Sequence, residues 1–190
     1  MFRKLLVLLI IVGITAGFAG VGSALFTSTD SIDSNTFTTG TVVISTNPTT
    51  AAVTYSNMAP GDQTTAPITV TNGGTLQLRY AVSSTATNAD SKGLMSQLVL
   101  TIKSGVTTCT NAGFSGSGTQ LYSAALGSVS GINVIGDPAT GAQTGDRTLA
   151  ASASEVLCFN VALPSGTGNA YQNATTTATF TFAAEQTANN

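Results

Sequence analysis

The chain has 190 residues, enough for one ordinary domain, and only 7% of them are charged against roughly 25% in typical globular domains. Apolar residues make up 42%, which together with so little charge is not the composition of a disordered chain. With six Lys and Arg in all there is no basic stripe for nucleic acid, and the absence of histidine removes Ser-His-Asp and Cys-His catalysis and every imidazole-built zinc site.

In chain order, Arg3 and Lys4 form a short basic region and Leu5–Val12 an eight-residue apolar run. Gly13, Gly17, Gly20 and Gly22 then loosen the run before Ser23-Ala24. That succession is a secretory signal peptide: charge to orient, a helix to insert, small residues for the peptidase. Cleavage after Ala24 puts Gly22 and Ala24 at the two positions that need small side chains and makes Leu25 the new N-terminus. A second reading is a retained anchor, because residues 5–29 are uncharged and about 20 apolar residues span a bilayer. The four glycines, Thr15 and Ser23 weaken that anchor, so the cleaved leader is favoured. An uncleaved leader is the chain's one expected contact with a membrane. Past the leader the chain has four basic residues (Arg79, Lys92, Lys103, Arg147) and eight acidic ones, a net charge of −4 by count.

Residues 25–37 are extended-prone and nearly uncharged, with Leu25, Phe26, Ile32 and Phe37 as apolar points. Short extended runs separated by turn chemistry follow: 41–46, 51–58 ending at Pro60-Gly61-Asp62, and 64–72. Pro67 inside the last of these predicts an edge strand or a late start. Asn72-Gly73-Gly74 before the alternating run 75–84 (Leu76, Leu78, Tyr80 and Val82 on one face) reads as a hairpin. Residues 94–103 begin as a helical turn and continue as strand. After a loop at 110–118, strand resumes at 119–126, and 127–145 is a Gly-rich stretch. Residues 155–163 alternate, with Leu157, Phe159, Val161 and Leu163 on one face, and 175–183 form the last strand. About eight strands without a long helical period predict an antiparallel β-sandwich, jelly-roll or immunoglobulin-like. The expected domains are a signal peptide (1–24), an extended segment (25–37) and one β-sandwich (38–190).

Cys109 and Cys158, 49 positions apart, are too few for a thiolate zinc cage and too distant for a CxxC motif. In an exported chain they read as one disulfide, the alternative being two buried thiols. Asp30 and Asp33 read as solvated charges. Asp137 and Asp146 flank the Gly-rich stretch without the ordered spacing of a calcium loop. Asn173-Ala174-Thr175 is the one permissible glycosylation sequon. No catalytic residue, metal site or cofactor is expected.

Several motifs resemble the TasA/camelysin (CalY) family of secreted biofilm-matrix and spore-coat-associated proteins, which has archaeal pilus relatives. They are a glycine-rich leader ending Gly22-Ser23-Ala24 and followed by Phe26, then Asn35-Thr36-Phe37 and Gly40-Thr41-Val42. Further along come Ser56-Asn57-Met58-Ala59-Pro60-Gly61-Asp62, Asn72-Gly73-Gly74-Thr75-Leu76 and the terminal Phe180–Gln186. Val42-Val43 departs from the Leu-Asp that the family usually carries there. The resemblance implies a jelly-roll sandwich and processing by a signal peptidase of the SipW type. It also implies head-to-tail assembly of the chain with itself by donor-strand complementation, the segment bearing Leu25, Phe26, Ile32 and Phe37 completing the next subunit's sheet. Some members are described as metalloproteases, a chemistry the absence of histidine opposes. The expectation is a secreted structural fibre subunit at the cell surface or in the matrix, and not an enzyme; the alternative is a secreted or anchored monomeric β-sandwich adhesin.

Overall fold

The computed structural model describes residues 28–189 and contains nine strands, the longer of which arise where β-branched and aromatic residues alternate with small polar ones. The expected leader helix, the cleavage residues Gly22 and Ala24, and Leu25 and Phe26 lie outside the described residues. Residues 28–38 have no regular structure and are exposed throughout; Asn35 Nδ2 donates to the Ile32 carbonyl at 2.7 Å.

A compact unit begins at Thr39. Its strands are β1 (Ile44–Asn47), β2 (Gln63–Asn72), β3 (Leu78–Ala86), β4 (Val99–Ser104), β5 (Thr119–Ala125), β6 (Ile132–Ile135), β7 (Arg147–Leu149), β8 (Ser154–Ala162) and β9 (Ala178–Gln186). A single helical turn, α1 (Leu94–Gln97), precedes β4, as the sequence predicts. One sheet runs β1-β2-β8-β4-β5 and is antiparallel throughout. In the other, β3 is central: β9 pairs along its whole length, while β7 pairs Leu78–Tyr80 and β6 pairs Val82–Ser84 on the opposite side. Strands distant in sequence thus become neighbours, as in a jelly-roll winding.

Both sheets turn their alternate residues onto one core. Ile68, Val70, Leu100, Ile102, Leu157 and Phe159 come from the first sheet; Leu78, Tyr80, Val82, Val134, Ile135 and Leu149 come from the second. Phe159 meets Phe180 edge-on at 5.0 Å between centroids, the geometry aromatic pairs prefer. The opposite faces are strapped by loops. Cys109 and Cys158 are disulfide-bonded with Cα atoms 5.6 Å apart, tying the loop after β4 to β8. In the same loop the Phe114 carbonyl accepts from Lys103 Nζ at 2.9 Å and the Phe114 ring lies under that ammonium. Over the other sheet, Gly141 N donates to Glu185 Oε1 at 2.9 Å.

The structure corrects four local expectations. Asn72-Gly73-Gly74 is not a hairpin: β2 and β3 lie in different sheets, and the turn is the corner between them. The Asn72 side chain, fully buried, fills that corner. Its Nδ2 donates to the carbonyls of Leu76, Leu149 and Ala150 at 2.8, 3.2 and 3.0 Å, and its Oδ1 accepts from Gly74 N. A Cβ on Gly74 would stand 2.3 Å from the Thr41 carbonyl oxygen, so only glycine fits. Residues 51–58 are not a strand, because Asp62 Oδ2 gathers Ala59 N and the Tyr55 hydroxyl and Asn57 takes a positive φ of 58°, curling the run. Pro67 sits inside a central strand, tolerated because β1 ends at the Asn47–Thr69 pair and only β8 lies beside Pro67. Finally, the Gly-rich stretch contains β6, and β7 follows it; at four and three residues each is too short for a legible period.

Candidate functional site

A sandwich of open sheets must do something with its edges, because an edge strand presents unpaired backbone donors and acceptors. On one side of this molecule the edges are β1 of the first sheet and β9 of the second. Each is paired on one side, β1 with β2 and β9 with β3, and no strand covers the other side of either among the described residues. Between them runs a groove of about 320 Å³ lined by Ile44, Ser45, Thr46, Phe180, Thr181 and Phe182. Phe180 and Phe182 are half-buried: Phe180 reaches Phe159, and Phe182 lies 6.2 Å from the Tyr80 ring, but neither is fully covered. The groove is thus a backbone ladder with apolar footholds and no charged lining residue. It can take an extended peptide with apolar side chains at alternate positions.

The strand ends are fixed by residues that recur in the sequence motifs. Thr41 accepts at its carbonyl from Thr75 N and Leu76 N, and Gly73 N donates to the Val43 carbonyl. The structure therefore brings Gly40-Thr41-Val42 and Asn72–Leu76 together, extending the β1 side of the sheet. A Cβ on Gly40 would meet the Leu76 side chain at 2.5 Å. At the other end of β2, Gly61 N donates to the Leu163 carbonyl and Leu163 N to that of Asp62, so the Pro-Gly-Asp turn docks on the end of β8.

Across the sandwich, the Tyr80 hydroxyl donates to Glu155 Oε1 at 2.7 Å, and Arg147 grips the same carboxylate with Nε and Nη2. Burial first, and then the bond to this carboxylate, push the Tyr80 phenol far above the usual tyrosine range. Hydrogen bonding to Glu155 holds the Arg147 guanidinium above its ordinary value. Arg79 pairs with Glu185 on the neighbouring strand β9. The Arg147–Glu155 pair braces the sandwich, whereas Arg79 and Glu185 line a pocket of about 270 Å³ under the 137–140 loop, with Asp137 and Asp146 at its wall.

Of the residues singled out in the sequence, Ile32 and Phe37 are 85% and 94% exposed, extreme for such side chains. Asp30 and Asp33 are exposed in the same segment. Asp137 and Asp146 do meet, but to close their own loop: Asp146 Oδ1 accepts from Asp137 N and Oδ2 from Gln143 N. Asn173 is exposed in a turn. The groove-lining Ile44, Phe180 and Phe182 were not singled out as a site. Their one sequence signal is the aromatic alternation in Thr179-Phe180-Thr181-Phe182, which equally describes an ordinary core strand.

A family model described as camelysin metallo-endopeptidase matches residues 1–113, a span that includes β1 to β4 and reaches into the loop that follows. No curated protein matches the chain. That description implies a metal, and the donor set here does not fit one. Histidine is absent from the sequence, both cysteine sulfurs are consumed in a disulfide, and no three acidic or sulfur ligands cluster among the described residues. Among the same residues no helix is long and apolar enough to cross a membrane. The β-rich fold and the match fit a secreted matrix or spore-coat-associated protein. With the match covering more than half of its 190 residues, the chain belongs to the camelysin family.

Proposed function

We propose that the protein is a non-enzymatic structural subunit of an extracellular fibre, in which residues 25–37 of one copy lie in the β1–β9 groove of the next. The observation that carries this reading is an apolar groove that no strand covers among the described residues, in the same chain as an apolar segment whose described part, 28–37, is exposed. Ile44, Phe180 and Phe182 line the groove, and Ile32 and Phe37 stand in water on the segment. Thirteen residues exceed the nine of β9, so one segment spans the whole edge. Backbone ladder bonds give such a strand its affinity, and alternate side chains entering the groove give it register. The contact is head-to-tail and does not close on itself, so it propagates as a filament. Cleavage of the leader after Ala24 releases Leu25 and makes the segment available, so that the signal peptidase acts as the assembly switch.

The test is electron microscopy of the secreted protein beside a variant lacking residues 25–33. Fibres from the intact chain and monomers from the shortened one support the reading. The same fibres from both contradict it, and monomers from both favour a solitary adhesin instead.

A further inference from the structure

We propose that Asn173 is a site of N-linked glycosylation, its substrate partner being a lipid-pyrophosphate-linked oligosaccharide. The proposal rests on the export of the chain argued above. Asn-x-Thr occurs twice in the sequence. Asn47-Pro48-Thr49 is closed to modification by its proline, which leaves Asn173-Ala174-Thr175. Its surroundings are those of a display turn. A 3-10 helix at Asn169–Tyr171 ends in a bend where Ala174 N returns to the Tyr171 carbonyl at 3.0 Å and Asn173 takes a φ of 55°. Asparagine is among the few residues that adopt this left-handed conformation readily. Asn173 and Thr175 are both exposed, and neither side chain hydrogen-bonds to the described residues, so amide and hydroxyl stand available.

The turn is held from both sides, so its outward face is a fixed feature. Lys92 Nζ donates to the Gln172 carbonyl at 2.6 Å, and Asp90 Oδ2 accepts from Thr175 N at 2.7 Å. Thr87 and Thr177 exchange backbone and side-chain bonds just beyond. By contrast Asn72 and Asn160 are buried and spoken for. In the reaction the Asn173 amide nitrogen attacks the anomeric carbon of the donor sugar. One C–N bond forms, the C–O bond to the pyrophosphate breaks, the amide proton passes to a base of the transferase, and lipid pyrophosphate leaves. The product adds a bulky, hydrated group at an exposed turn of a chain with only 7% charged residues.

The test is mass spectrometry of protein recovered from outside the cells of its own source. Lys and Arg are absent after Arg147, so trypsin releases residues 148–190 as one fragment once the disulfide is reduced. The expected result is an oligosaccharide mass on Asn173, lost completely in both Asn173→Gln and Thr175→Ala and retained at reduced occupancy in Thr175→Ser. External protein whose fragment is unmodified overturns the site and leaves export standing. Protein confined to the cell interior overturns export and, with it, the site.

Discussion

The buried Asn72 side chain closes the corner between the sheets, its Nδ2 donating to three carbonyls and its Oδ1 accepting from Gly74 N. Asn72→Ala strands buried carbonyls and the Gly74 N–H, so it is expected to cost about 3 kcal/mol in denaturant unfolding, with a shift in midpoint rather than slope. The Tyr80–Glu155 bond makes a different prediction. Because the folded state raises the phenol pKa, the stabilisation is fully present below the ordinary tyrosine value of about 10 and declines as pH rises beyond it. Tyr80→Phe should cost about 1 kcal/mol at pH 7 and flatten the alkaline fall in stability, measured as the unfolding midpoint from pH 7 to 11. Asp90 has the opposite sign. Backbone N–H bonds from Thr175 and then Lys92 hold its carboxyl below the usual carboxylate range. Its hold on the 169–177 turn is present above that range and is lost as pH falls through the lowered value. The protection factor of the Thr175 amide, its exchange rate relative to the unstructured rate at the same pH, should therefore fall on acidification, and should be low already at neutral pH in Asp90→Ala.

The strands themselves show how much sequence can express. β3 and β8 were legible because their inward faces read Leu78-Tyr80-Val82 and Leu157-Phe159-Val161, and period 2 with large side chains has one interpretation. The corner at Asn72 was not, because Asn-Gly-Gly supports either a tight hairpin or a crossover. The choice is made by Thr41, Leu149 and Ala150, residues 31 to 78 positions away whose carbonyls the corner must satisfy or approach. β6 and β7 escaped notice because their pairing with β3, not their own pattern, makes them strands. The groove was hidden for a related reason: Phe180 and Phe182 look like core until it is known that, among the described residues, only β3 pairs with β9. The loop tied by Cys109–Cys158 adds a further prediction. The bridge closes a loop of 49 positions, worth about 4 kcal/mol on the chain-entropy model. The double variant Cys109→Ala/Cys158→Ala should lose most of that in denaturant unfolding, and an unchanged stability would mean the loop is ordered in the unfolded chain as well.

Among the described residues the sandwich has a closed core and a β1–β9 side that no strand covers. An exposed segment with Ile32 and Phe37, an uncovered edge with Phe180 and Phe182, and a surface of few charges are each costly in a solitary protein, since each invites association. Together they support the proposed function, a subunit whose finished form contains its neighbour. It is tested most directly by titrating a peptide of residues 25–37 into an isotope-labelled subunit lacking them and following backbone amide shifts. The account predicts saturable one-to-one binding with the largest shifts at Ile44–Thr46 and Phe180–Phe182, weakened at least tenfold by Phe37→Asp in the peptide. Shifts confined to the opposite edge at β5, or none at all, would contradict it.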